Sequence, residues 1–406
     1  MSRQTSFPCR PDPAGSSGIR NSTSTAQHWP EPTRMSAPAL NSRRRKRNSM
    51  KRSRLHHLEK RPHRKETEMN KLAFAATLLA TMALSPLSEA QTAKELRVTN
   101  TGCVCFLPVN LAIKKGWLDE EMEKLGVTVA IQQYEDGPSQ TAALLSGSLD
   151  IAQYGSTGVV SLLARDAEVS IFMLSDNEVS TEGLVVKSDA GIASVADLEG
   201  KTVGVTAGTT SDYGLRAALI EAGVPAEKVS IVGIAPPAMA AAWERGEIQA
   251  SYVWDPILSR LAANGGTVLQ TIGQLSDATG GKYKIVNFHV VSASFAAENP
   301  EIVKGYVRAI DRATQYIHEN TEEVAAEFKD EFGAVSDEQA AQQIRGEQFF
   351  LASEQLSPDL MGDGSAPGAL STLLANVWQF SFDQGAVTTA PDQAVIDAAF
   401  DTQFLK

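Results

Sequence analysis

The sequence has few of the residues that build metal sites and disulfide scaffolds. Its 406 residues hold three cysteines, Cys9, Cys103 and Cys105, and only two histidines, His289 and His318, lie beyond residue 90. Cys103-x-Cys105 has no second Cys/His pair near it, which argues against a zinc site. Neighbouring cysteines on one strand face seldom have disulfide geometry, so two free thiols are expected. No nucleophile–base pair of recognisable spacing occurs, and His289, on an apolar strand, reads as a core residue. No metal, cofactor or catalytic residue is expected. Basic charge is scarce in the body: from Thr92 onward there are 20 Lys+Arg against 42 Asp+Glu. That balance argues against nucleic acid as partner. It also means that an anion would have to be held by local dipoles.

The basic residues that do exist are concentrated at the start. Residues 1–68 carry 16 Lys+Arg and 5 Asp+Glu, with SRRRKR at 42–47, and are rich in Ser and Pro. Such a segment cannot build a packed core; it is expected to be a disordered basic extension. Met69 then begins MNKLAFAATLLATMALSPLSEA. Lys71 supplies a short positive region, Leu72 to Leu84 an apolar stretch, and Ser88-Glu-Ala90 a small-residue cleavage site, the parts of a secretory signal peptide. Residues 69–90 are therefore predicted to be that signal, Met69 the true start, and the mature chain to begin near Gln91 in the periplasm. The apolar run is too short for a stable membrane span. No cysteine follows the cleavage site, so no lipid anchor is indicated.

From Glu95 on, strand and helix alternate, the pattern of mainly parallel sheets flanked by helices. Glu95–Thr99, Val127–Gln133, Leu149–Gln153, Val169–Leu174, Gly183–Val186, Lys201–Val205 and Ile285–Val291 read as strands. Asp337–Phe350 is among the segments that read as helix. Around Asp189 to Leu198 a loop crosses into a second lobe. The domain expectation is 91–187 plus 289–406 for lobe 1 and 188–288 for lobe 2. The most informative unit is Pro236–Pro256, PPAMAAAWERGEIQASYVWDP. Pro236-Pro237 opens a helix, Gly246 ends it, and Ile248 to Trp254 alternates as a strand. Asp255 is then placed to cap the next helix. Tyr252, Trp254 and Asp255 thus fall at the carboxyl end of a strand, where ligands bind in open α/β sheets. Ala207-Gly-Thr-Thr-Ser211 likewise leads from a strand into a helix. Thr209, Thr210 and Ser211 there offer hydroxyls and free N–H groups to an anion. The Gly-x-Gly-x-x-Gly and Gly-Lys-Ser/Thr patterns of nucleotide sites do not occur there.

The 236–256 run resembles the signature of taurine-binding periplasmic proteins, the substrate-capture subunits of ABC importers for sulfonates. The shared features are the Pro-Pro pair, Ala-Ala-Trp, Arg-Gly-Glu-Ile and Tyr-Val-Trp at one spacing. DGPSQTAALLSGSLDIAQYGST at 136–157 is similar to a second family run. The resemblance implies a two-lobed periplasmic binding protein fold of type II, hinged by crossing strands. It implies a monomer that passes a small zwitterion from an interlobe cleft to an inner-membrane permease. The sulfonate end needs donors at helix N-termini, for which Ser156 and Thr157 from one lobe and Thr209, Thr210 and Ser211 from the other are candidates. The ammonium end needs a carboxylate and an aromatic face; Glu182 and Trp254 match family positions of those types. On the crossing strand Asn287 stands where the relatives carry Asp. That weakens the case for taurine itself and leaves Asp136 or Asp255 to supply the charge. Gly-Cys-Val-Cys-Phe106 departs from the family's polar first loop and predicts a more apolar wall. The alternatives are a binding protein for nitrate, a sulfate ester or a thiamine pyrimidine precursor. A pyrimidine-precursor enzyme of the same fold is the alternative of another class.

Overall fold

The structure, a computed structural model, describes residues 93–134 and 137–406. The expected extension 1–68, the expected signal peptide 69–90 and Asp136 lie outside the described residues. Everything discussed below belongs to one compact unit, Leu84–Lys406.

The strands form two sheets. The first contains β1 (Glu95–Thr99), β2 (Thr128–Gln132), β3 (Ile151–Gly155) and β4 (Val169–Glu178). The second contains β5 (Glu182–Lys187), β6 (Thr202–Val205), β7 (Ser230–Gly233), β8 (Ala250–Trp254) and β9 (Gly266–Thr271). The chain then returns to the first sheet with β10 (Val286–Ser292) and β11 (Glu347–Phe349). The strand orders are β11-β4-β10-β3-β1-β2 and β7-β6-β8-β5-β9. β1 pairs in parallel with β2 and β3, while β10 runs against β3 and β4, and β11 against β4. In the second sheet β6 is parallel to β7 and β8, and β5 runs against β8 and β9. Both sheets are therefore mixed, with one dominant direction. The reversed strands β5 and β10 are the first that the chain lays down after each crossing.

Sheet membership sets the outward crossing at Val179–Thr181 and the return between Thr271 and Val286, not at 187/188 and 288/289. The apolar run from Gly183 to Val186 suits the middle of either sheet, so its hydropathy does not say which one takes it. The outward crossing is clasped from two sides. Gly346 O accepts from the N–H of Val179 and of Ser180 at 3.0 and 3.1 Å, and Gly273 N–H donates to Val179 O at 2.9 Å. A Cβ on Gly273 would lie 2.4 Å from that oxygen, and one on Gly346 2.5 Å from Ser180 Oγ. Only glycine permits such approaches.

Two expected elements end elsewhere. The helix predicted over 337–350 stops at Arg345, and Glu347–Phe349 becomes the edge strand β11. β4 continues four residues past Leu174 because both its neighbours, β10 and β11, pair with its end. The expectation of free thiols is also corrected. Val104–Phe106 is a single 3-10 turn, not a strand. The turn brings the cysteine Cα atoms to 5.2 Å, and Cys103 and Cys105 are disulfide-bonded, a separation within bridging range.

The first sheet shares one large core with the C-terminal helices. Helix Pro300–Glu319 lays Ile302, Tyr306, Ile310, Ala313 and Ile317 on it, at helical spacing. The second sheet keeps a separate cluster on each face, Leu184, Val186 and Tyr252 on one and Val185 and Val253 on the other, the period-two pattern of a strand buried on both sides.

Candidate functional site

Two helices begin at the carboxyl ends of strands and meet across the seam between the sheets. β3 ends at Gly155 and helix Ser156–Leu163 follows at once. β6 ends at Val205, the chain turns at Gly208 with φ +74°, and helix Thr210–Glu221 follows. A Cβ placed on Gly155 would lie 2.7 Å from Thr210 Cγ2, so the absence of a side chain there lets the two N-termini touch. The hydroxyls of Ser156 and Ser211 are fully buried; that of Ser156 has no partner, and that of Ser211 faces Glu182. Buried hydroxyls are almost always satisfied. A free one at an N-terminus, beside a second N-terminus that also presents unpaired N–H groups, makes this the place in the fold best suited to an anion. Thr157 is buried in the same first turn as Ser156. Thr209 is spent locally: its Oγ1 accepts from Ser211 N–H at 3.3 Å and donates to Thr206 O at 2.7 Å.

Carboxyl groups converge on the same seam. Glu182 opens β5 opposite Trp254 of β8, and its Oε2 accepts from Thr210 Oγ1 at 2.9 Å. Asn287 of β10 stands opposite Gly155 on one side and Asp176 on the other. Its Nδ2 donates to Glu178 Oε1 at 2.8 Å and to Asp176 Oδ2 at 3.2 Å. Glu347 of β11 stands directly opposite Glu178. The N-cap of the helix after β8 is Pro256, not Asp255 as expected; Asp255, one residue earlier, still accepts from Ser259 N–H at 2.7 Å. Burial pushes the Glu178 carboxyl up to about 7 and that of Asp255 up to about 6. Burial, reinforced by neighbouring carboxylates, holds Asp176, Glu182 and Glu347 well above the usual carboxylate range.

One wall is apolar. Cys103, Cys105 and Phe106 form a small buried cluster with Trp254 packed on it, and Ser175 Oγ donates to Cys105 O at 2.7 Å. The packing of Trp254 on this cluster joins the first-sheet turn to the end of β8. His289 is a core residue: it is fully buried, its Nδ1 lies 3.0 Å from Tyr306 OH, and burial lowers its pKa to about 3. Among the described residues no group of three His, Cys, Asp or Glu is arranged to hold a metal ion.

The structure thus gathers Ser156, Thr210, Ser211, Glu182 and Asn287 along one seam, with Trp254 opposite Glu182 and Asp255 acting on Glu178. Sequence reasoning missed Asp176, Glu178 and Glu347. The Asp-Asn-Glu ending of β4 was the available signal for the first two, since i and i+2 on a strand share a face.

Two α/β lobes joined by two crossings, with helix N-termini facing each other across the seam, define the two-lobed binding-protein fold. The chain belongs to the NMT1/THI5-like family, whose model matches residues 105–324. It is 34% identical over 195 residues to the taurine-binding periplasmic protein of Escherichia coli (strain K12), covering 47% of this chain and 58% of that protein. It is 28% identical over 223 residues to a putative aliphatic sulfonates-binding protein of Bacillus subtilis (strain 168), covering 55% and 66%. The alignments thus span somewhat under two thirds of either relative. The fold is that of the alkanesulfonate-binding protein SsuA from Xanthomonas axonopodis pv. citri bound to MOPS. That match has a TM-score of 0.60 at 17% identity and covers 77% of this chain and 99% of that one. The desulfurization enzyme DSZB shares the fold at a TM-score of 0.54 and 17% identity, covering 77% and 97%.

Proposed function

We propose that the protein is the substrate-capture subunit of an ABC importer, exported to the periplasm. It holds taurine or a related small sulfonate between its lobes and delivers it, as a monomer, to an inner-membrane permease. The observation that carries this reading is the meeting of two helix N-termini from opposite lobes, with the Ser156 hydroxyl buried and unpartnered and Ser211 buried beside it. A sulfonate has three acceptor oxygens, enough to take donors from both lobes at once and so to hold them together. Names of relatives that bind taurine and aliphatic sulfonates support the same class.

The buried carboxyls favour a ligand with a positive end over a bare anion such as nitrate. A catalytic reading finds little support at the seam: both cysteines of the described chain are bonded to each other, and the buried imidazole of His289 is paired with Tyr306.

Thermal stabilisation of the mature protein by a panel of taurine, alkanesulfonates, sulfate esters, nitrate and pyrimidines tests the proposal. A cognate sulfonate at one hundred times its dissociation constant should add about 2.7 kcal/mol. Stabilisation by nitrate or a pyrimidine, with every sulfonate silent, would overturn the reading.

A further inference from the structure

The carboxyl set at the seam has more negative charge than a fold would place there for its own sake. Asp176 and Glu178 are i and i+2 on β4, and the register sets Glu347 opposite Glu178 and Asn287 opposite Asp176. All four side chains therefore share one face. Like charges directly opposite on paired strands repel, and here Asp176, Glu178, Glu182 and Glu347 are each at most 6% exposed. Among the described residues none of them is ion-paired with a lysine, arginine or histidine. The hydrogen bonds these carboxyls accept come from neutral groups, Asn287, Thr210 and Thr181 among them. The Tyr252 hydroxyl is fully buried and unpartnered, and the charges of Glu182 and Glu178 reach it.

We propose that Asp176, Glu178 and Glu347 form, with Glu182, an anionic floor that receives a cationic end of the ligand, so that the lobes close on a ligand lacking that end only if the floor takes up protons. The inference rests on the sulfonate reading above and adds a subsite on β4 and β11 beyond Glu182. An uncompensated buried carboxylate is costly enough that the group takes a proton instead. The groups that face the floor are all acidic or neutral. They are Asp255 and Tyr252 from β8 and its end, Glu182 from β5, Glu347 from β11, and Asn287 from β10. In the parted lobes water would solvate these carboxyls and leave them ionised at neutral pH. Closure then needs either protons from solvent or a cation from the ligand. An ammonium placed on the floor removes the need for protons, and a ligand with no group there does not.

Isothermal titration between about pH 5.5 and about pH 8, in buffers of different ionisation enthalpy, counts the protons exchanged on binding and so tests the proposal directly. The two probes are taurine and ethanesulfonate, which differ at the end away from the sulfonate. Ethanesulfonate should take up protons and weaken with rising pH, by up to about tenfold per pH unit for each proton taken up. Taurine should take up fewer and show a flatter profile. Glu347→Gln, which removes one titrating group from the floor, should shrink the difference in proton count between the two ligands. Equal proton counts for the two ligands in the native protein overturn the floor and leave the sulfonate reading intact. Failure of both ligands to bind overturns the sulfonate reading and the floor with it. Should Glu347→Gln not fold, the native proton counts alone decide.

Discussion

At one place along the seam three aromatic rings meet, and at another four carboxyl groups do. Tyr213, from the second-lobe helix, has its ring 4.8 Å from Phe380 on helix Ala369–Asp383, and both lie 6.1 Å from Tyr283 in the return crossing. Edge-to-face contacts of this kind stabilise by about 0.5–1.5 kcal/mol each beyond their area, and they do so at any pH and with any ligand. The carboxyl network behaves in the opposite way. It opposes contact between the lobes unless protons or a cation neutralise it. The comparison separates two tasks: the rings hold the lobes together, and the acids decide on what terms.

The largest way to break that contrast is Tyr213→Ala. Removing the central, 95% buried ring should cost about 3 kcal/mol of stability, read by urea denaturation. A loss well under 1 kcal/mol would mean that the rings do not carry the contact. Next comes a wedge one helical turn from Tyr213, against Thr210. Gly155 has ordinary backbone angles, φ −66° and ψ 161°, so Gly155→Val is expected to fold. Its side chain would occupy the space of Thr210 Cγ2, and the ligand-induced stabilisation of about 2.7 kcal/mol should vanish. Persistence of that stabilisation would show that the two N-termini need not meet.

Acid titration of the ligand-free protein sharpens the carboxyl side. Glu178 and Asp255 have folded values raised above their unfolded ones, about 7 and about 6. Their stabilising neutral forms are fully present below about pH 4 and are lost as pH rises through about 6 and then about 7. Stability should therefore fall between pH 5 and pH 8, by up to about 4 kcal/mol for the two groups together. A curve that rises over this window would contradict the buried, neutral acids. The smallest effect is expected from Cys103→Ser with Cys105→Ser. Opening so short a loop costs about 1.6 kcal/mol or less by chain entropy. Its additional readout is a shift in Trp254 fluorescence, since that ring rests on the bridged turn.

Local patterns revealed the ends of elements well and their partners poorly. The turn chemistry at Gly155-Ser156 and Gly208-Thr209 marked both helix N-termini, because capping and glycine turns are short-range events. The Pro-Pro opening and Tyr-Val-Trp strand of 236–256 were legible for the same reason. Which sheet received Gly183–Val186 was not, since burial on two faces looks alike in either sheet. Glu347 escaped notice because Glu347–Phe349 continues the polarity of the preceding helix, and only pairing with β4 makes it a strand. The cysteine bridge was missed because a single 3-10 turn has no hydropathy period to betray it.

The clasp at Val179 has a mechanical meaning. The outward crossing is pinned at Val179 and Ser180 by backbone hydrogen bonds with two glycines, Gly346 and Gly273, the latter too close to Val179 O to carry a side chain. Bending confined to so short a pivot leaves each lobe's outer surface unchanged in shape. A protein that distinguishes the loaded from the empty form would then have to read an angle between two rigid faces, as a caliper does.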